Sequence, residues 1–177
     1  EYTAQTLIKY KKNSLINIAK SGFQLPQEDD EKELVKKVER YYTPLTDWLK
    51  KVLSEHVQRV NIGLHIDDPM VILANESGYS AQMEKIAKAQ AVAYKDERLA
   101  MLQNMKKNLI VNPYHPFIKE MLDRVKSGAD ADAEESAKLL FEVALLNSGF
   151  SLKNPTTFSN KFYKIMSDSL GLSRDQS

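Results

Sequence analysis

The sequence predicts an α+β fold: a small three-stranded sheet, several helices and a helical hairpin at the C-terminal end. Three observations carry this reading. Apolar residues recur every three or four positions from Leu34 to Val52 and again from Phe158 to Leu170, the period of an amphipathic helix. Val60, Ile62, Leu64 and Ile66 alternate with Asn61, Gly63 and His65, the period of a half-buried strand. Glu135 to Ser148 is apolar on more sides than a surface helix needs, so it must be covered from more than one direction.

Taken in order, Thr3 to Gly22 carries Leu7, Ile8, Leu15, Ile16 and Ile18 among lysines without a sustained period. It reads as the tail of a preceding unit, which makes residues 1–26 the end of an earlier domain or a linker and 27–177 the domain proper, with the whole as a piece of a longer protein. Gln24 to Asp30, with Pro26 and an acidic run, is a loop that also supplies the acidic first turn of the next helix. From Glu31 a long helix follows, interrupted by Pro44. Either Thr43 caps a restarted helix with Pro44 in its first turn, or the helix continues with a kink.

The alternating strand ends at the turn Asp67-Asp68-Pro69, and Met70 to Ala74 is a short continuous apolar run; the two suggest an antiparallel pair. Ser80 can cap a helix that holds Met83, Ile86 and Ala87 and runs to about Tyr94. A further helical stretch, Asp96 to Lys107, carries Leu99, Met101, Leu102 and Met105. Asn108 to Val111 is the third strand, closed by Asn112 and Pro113, and Pro116 opens a helix with Ile118, Met121, Leu122 and Val125 on one face. Ser127 to Asp132 is a flexible polar loop.

In the next helix, at about 100° per residue, Leu139, Val143 and Leu146 share one line. Leu140 and Ala144 sit beside it, Phe141 and Leu145 lie round the back, and only Lys138 and Glu142 form a polar strip. Gly149 is a natural stop, and Asn154 with Pro155 signals a new helix on which Phe158, Phe162, Ile165, Met166 and Leu170 form a single face, with Tyr163 off it. Such a pair either runs through the centre of a monomeric core or is covered by another chain. Its surplus of apolar surface suits association with a twofold copy.

The 177 residues suffice for one sizeable core. Twenty-five Lys and Arg against twenty-four Asp and Glu leave a charge of +1, so no global pull toward nucleic acid is expected. No apolar run approaches the ~20 residues of a bilayer span, and no membrane insertion is expected. With no Cys there is no disulfide, thiolate metal site or thiol nucleophile.

Catalytic motifs are missing: the sequence holds no phosphate-binding glycine loop, no dinucleotide turn, no nucleophile elbow and no H-E-x-x-H pair. His65 and Asp67 share one side of the expected strand, but this is more simply a polar face running into a turn than a metal site. Glu28 to Glu31 reads as a solvated helix start rather than a cation site. Asn75-Glu76-Ser77 is a glycosylation sequon, relevant only in a secretory compartment. Lys106 and Lys107 lack the interleaved aromatics of a base-stacking surface. Methionines from Met83 to Met105 suit irregular core gaps, or a surface that adapts to unlike partners.

Four stretches carry a resemblance: Tyr42-Thr-Pro-Leu-Thr-Asp-Trp-Leu-Lys50, Ser77-Gly-Tyr-Ser-Ala-Gln-Met-Glu-Lys-Ile-Ala-Lys-Ala-Gln-Ala91, Asn112-Pro-Tyr-His-Pro116 and Leu139-Leu-Phe-Glu-Val-Ala-Leu-Leu-Asn-Ser-Gly-Phe150. In order and spacing they resemble the ninety-kilodalton heat-shock chaperone family, over about Glu31 to Leu172. Glu120-Met-Leu-Asp-Arg-Val125 is similar to the endoplasmin-like branch, which points to the endoplasmic-reticulum lumen, with the cytoplasm as the alternative.

The resemblance implies a C-terminal dimerisation domain that forms a four-helix bundle from two helices per subunit. The matching helices run from Ala133 to Asn147 and from Pro155 to Leu170, and the dimer residues would be Leu139, Leu140, Val143, Leu146, Phe158, Phe162, Ile165, Met166 and Leu170. It also implies contact with unfolded or partly folded client proteins through Tyr79, Met83, Leu99, Met101, Leu102 and Met105. Tyr79 stands where members often have Trp, and the stretch after Tyr94 departs from the family pattern. ATP binds elsewhere in such chaperones, so no cofactor is expected in this stretch, and ATP with Mg only in the full-length parent. The competing reading is a monomeric peptide-binding module using its Met- and Leu-rich surface. Neither reading includes catalysis.

Overall fold

A computed structural model describes residues 9–15, 29–75, 78–94 and 105–172 of the chain. Lys9–Tyr10 (β1) and Asn13–Ser14 (β2) form a small antiparallel hairpin, turned through Lys11 at positive φ. The expected boundary at 26/27 falls outside the described residues, as does Gln24 to Glu28 of the expected loop; Asp29 and Asp30 are already helical.

The first long helix, α1, spans Asp29–Val52 without a break. Pro44 lies inside it at an exposed position, and the helix passes through rather than restarting. The Thr43 hydroxyl donates to the Glu39 carbonyl at 3.0 Å and Thr46 to that of Thr43 at 3.1 Å. Tyr42, Leu45 and Leu49 form the buried face, and the Tyr42 hydroxyl donates to the Pro113 carbonyl.

Three strands follow: Val57–Ile62 (β3), Met70–Leu73 (β4) and Lys107–Val111 (β5), in the order β3-β5-β4. This corrects the expected antiparallel pairing of the first two. The last strand lies between them, parallel to β3 and antiparallel to β4, with Leu109 opposite both Val60 and Ile72. The physical reason is in β5 itself: Asn108 on one face and Leu109 and Val111 on the other are all buried, and a strand buried on both faces takes the centre of the sheet. β3 also begins and ends earlier than the alternation suggested. Val57 is buried and paired with Lys107, whereas beyond Ile62 the Gly63 N–H makes a last bond to Val111 and the chain leaves the sheet. Gly63 is required there, because a Cβ would meet Ile110 Cγ2 at 2.5 Å.

Ala81–Tyr94 (α2) starts at Ser80 as expected, whose hydroxyl accepts from the Met83 N–H. The expected helix over Asp96 to Lys107 lies mostly outside the described residues, and its last residue belongs to β5 instead. Pro116–Ser127 (α3) is capped by His115, whose Nδ1 accepts from Phe117 at 3.2 Å. The expected polar loop at 127–132 shrinks to Gly128 and Ala129. Gly128 adopts φ +78° and the Ala129 N–H closes on the Arg124 carbonyl at 3.0 Å, a left-handed cap that lets Asp130–Asn147 (α4) begin at once. Pro155–Ser169 (α5) completes the chain's five helices among the described residues.

One core results. α1 packs on β3 and α3, while α4 packs on α3 and β4. Leu45, Leu49, Leu109, Val111, Ile118 and Leu122 are almost wholly buried at its centre. Leu109→Ala in the central strand should cost about 3 kcal/mol, a large-to-small cavity in a packed core; urea unfolding followed by circular dichroism measures it, with an unchanged m-value expected.

Candidate interaction surface

α4 has two apolar faces, and among the described residues only one of them is fully buried. Ala133, Ala137, Phe141 and Ala144 are buried at helical spacing. Three small residues let the helix backbone approach α3 and β4, and Phe141 fills the remaining depth. Its ring stacks on His56 at 5.7 Å. Leu140 and Leu145 lean on the edge of the same core. On the far side Leu139 and Val143 are half-buried and Leu146 is exposed.

The turn after α4 is held firmly. Ser148 Oγ accepts from the Ile72 N–H at 2.9 Å, joining the helix end to β4. Gly149 takes φ +83°, and a Cβ there would lie 3.4 Å from that of Ala81 at the start of α2. Phe150 is buried, with the Lys107 ammonium 4.7 Å from its ring centroid. Lys107 also pairs with buried Glu84 of α2 at 3.0 Å, and Lys88 reaches the same carboxylate at 3.1 Å. One ionic joint thus fastens α2, the central strand and the hairpin turn together.

α5 is attached much more lightly. Pro155 stands in its first turn as expected, yet Asn154 makes no side-chain cap bond. The helix contacts α4 and has no buried residue, and the Lys161–Glu142 ion pair at 3.0 Å ties the two. Phe158 is half-buried, whereas Met166 is 44%, Ile165 48%, Phe162 49% and Leu170 65% exposed. These five residues recur at helical spacing along one side, with the exposed part of Leu146 on the neighbouring helix. A solitary apolar side chain on a surface means little, but a contiguous stripe of this kind marks an interaction site.

The positions expected to touch clients are spread differently. Leu99, Met101 and Leu102 lie outside the described residues. Tyr79 and Met105 are half-buried. Met83 is buried with Ala87 one turn on, because both lie on the inner face of α2; the Ser80 cap fixes that phase, and Met83 fills a core gap rather than a surface. His65 and Asp67 are exposed, and among the described residues no cluster of His, Cys, Asp or Glu could hold a metal ion. No described helix is long and apolar enough to cross a membrane. Sequence reasoning missed the ionic joint and the His56–Phe141 stack, since each links residues far apart in the chain.

Comparison with known proteins bears on the whole length. The family described as Hsp90 protein matches residues 1–177. An endoplasmin homolog of Caenorhabditis elegans is 37% identical over 99% of this chain and 24% of its own length. A putative heat shock protein HSP 90-beta-3 of Homo sapiens is 34% identical, again over 99% of the chain and 30% of its own. The chloroplastic heat shock protein 90-5 of Arabidopsis thaliana is 31% identical over 97% of the chain and 22% of its own. The chain therefore spans between about a fifth and a third of these relatives.

His56 gives the stability of the fold a pH dependence. Burial lowers its pKa from the usual 6.5, helped by Lys153 and Lys107 and opposed by Glu55 and Glu142. A depressed folded-state value means that below pH 6.5 the unfolded chain takes up a proton that the folded one resists, so stability falls as pH drops through that region and is fully present above it. Melting temperatures between pH 7.5 and 5.5 should decline more steeply for the wild-type chain than for His56→Gln, with carboxylate contributions common to both.

Proposed function

The chain belongs to the Hsp90 family, and on that premise we propose that it is the C-terminal dimerisation and client-contact domain of an endoplasmin-like chaperone. The observation that supports this most directly is the apolar stripe of Phe162, Ile165, Met166 and Leu170, which the described residues leave exposed. A second copy related by a twofold axis covers such a stripe with itself, placing α4 and α5 of each subunit in a four-helix bundle. Leu139, Val143 and Leu146 on the outer face of α4 continue the same surface, and Leu140 and Phe158 lie at its edge.

The consequence is mechanical. Joining two protomers at one end raises the effective concentration of their distant parts for each other. Under this reading the ATP and magnesium site lies in those parts, the present stretch is not catalytic, and closure around an unfolded client is the work of the whole assembly. Client contact within this stretch is supported by Tyr79 and Met105, the half-exposed members of the candidate set. The endoplasmin homologues support the endoplasmic-reticulum lumen as the location, over the cytoplasm.

An obligate interface of this kind buries on the order of 2,000 Å² or more. Phe162→Asp and Ile165→Asp place a charge where the partner's apolar surface would lie, at positions exposed in the single chain, so the helical circular dichroism should persist while association weakens by at least about 2 kcal/mol. Light scattering is expected to give near twice the 20.2 kDa chain mass for the wild type, falling toward the single-chain mass in both variants. A wild-type mass equal to one chain at all concentrations would refute the proposal.

A further inference from the structure

A second surface lies on the inner side of the hairpin. The turn between α1 and β3, the middle of α2, one side of α4 and the first turn of α5 enclose an open cleft of about 880 Å³, within the range of roughly 300–1,000 Å³ that holds a ligand. Its floor is apolar: Leu53 and Phe141 are buried beneath it, and Met105, Leu145 and Leu152 are half-exposed along it.

The rim is rich in lysine. Lys88, Lys107, Lys138, Lys153 and Lys161 line the cleft with Glu55, Glu84 and Glu142, and once Glu134, which pairs with Lys138 from outside it, is counted, one positive charge is left over. The surplus lies where one acid meets two lysines. Glu84 is shared by Lys88 and Lys107, and Glu142 is taken by Lys161 at 3.0 Å. Lys153 has no ion pair among the described residues, and its charge is felt at His56 across the same wall. The first turn of α5, which carries Thr157 on the cleft, contains no acidic residue and receives no side-chain cap, so its partial positive charge adds to that of the lysines.

We propose that this cleft docks an acidic peptide segment carrying an apolar side chain, whose carboxylates meet Lys153 and the Lys88–Lys107 pair while the apolar group enters between Leu145, Leu152 and Met105. Charge complementarity selects the segment and the floor supplies the anchor. An apolar floor favours a leucine-like side chain over a nucleic-acid backbone, which offers no such group. Phe162, Ile165, Met166 and Leu170 of the α5 stripe do not line the cleft, so peptide binding and self-association are read by separate measurements.

Fluorescence anisotropy with a dye-labelled short peptide of alternating Glu and Leu tests it on the intact chain. The peptide should bind, more weakly at higher salt, and neither its Lys-for-Glu nor its Ser-for-Leu counterpart should match it. Lys153→Glu should weaken binding about tenfold, whereas Lys153→Arg and Lys164→Glu, the latter exposed outside the cleft, should stay within about twofold. Absence of binding, equal affinity for the lysine peptide or for a single-stranded oligonucleotide, or indifference to Lys153→Glu would each overturn the proposal. Circular dichroism of the variants separates a lost site from a lost fold, and scattering measurements on the same samples report self-association independently.

Discussion

The arrangement rests on the two-sided apolar character of α4. A helix with a single greasy stripe satisfies it by lying on a core; α4 does so with Ala133, Ala137, Phe141 and Ala144 and still carries Leu139, Val143 and Leu146 on the opposite side. Among the described residues Leu139 and Val143 are only half-covered and Leu146 is exposed, and α5, the neighbouring helix, has an exposed apolar stripe of its own. The two helices therefore fail to satisfy each other. That shortfall leaves an apolar surface on α4 and α5 that the described residues do not cover.

The use of alanine on the inner face is part of the same constraint. Small residues bring α4 close to α3 and β4, and the close approach positions Ser148 to satisfy the Ile72 N–H. A larger residue at Ala137 or Ala144 would lift the helix away and loosen the turn at Gly149, whose positive φ and contact with Ala81 already fix the route of the chain. The rigidity of the base is what allows the outer faces to be presented in a defined orientation, with α5 held by little more than the Lys161–Glu142 pair.

Glu84 and Lys107 extend this base toward α2. A buried carboxylate costs several kcal/mol to desolvate unless it is paired, so its two lysine partners and the Phe150 ring beneath Lys107 form a joint that cannot be dismantled piecemeal. The joint includes the strand, the helix and the hairpin turn at once. The lysine-rimmed cleft lies beside the same joint.

Local pattern determined the element types: the 3.6-residue period of α1, α3 and α5, the Ser80 cap, the proline at the start of α3 and the two-sided apolarity of α4 were all legible, because each arises from neighbours a few residues apart. So was the apolar set on α5. Strand order was not: β5 separates β3 from β4 because its burial on both faces outweighs proximity in sequence, and Gly128 shortened a loop that composition alone made long. The ionic joint and the His56 stack join residues tens of positions apart. Only tertiary packing decides which side of an amphipathic element faces the core and which charges end up sharing one carboxylate, since those energies depend on distances that no linear pattern contains.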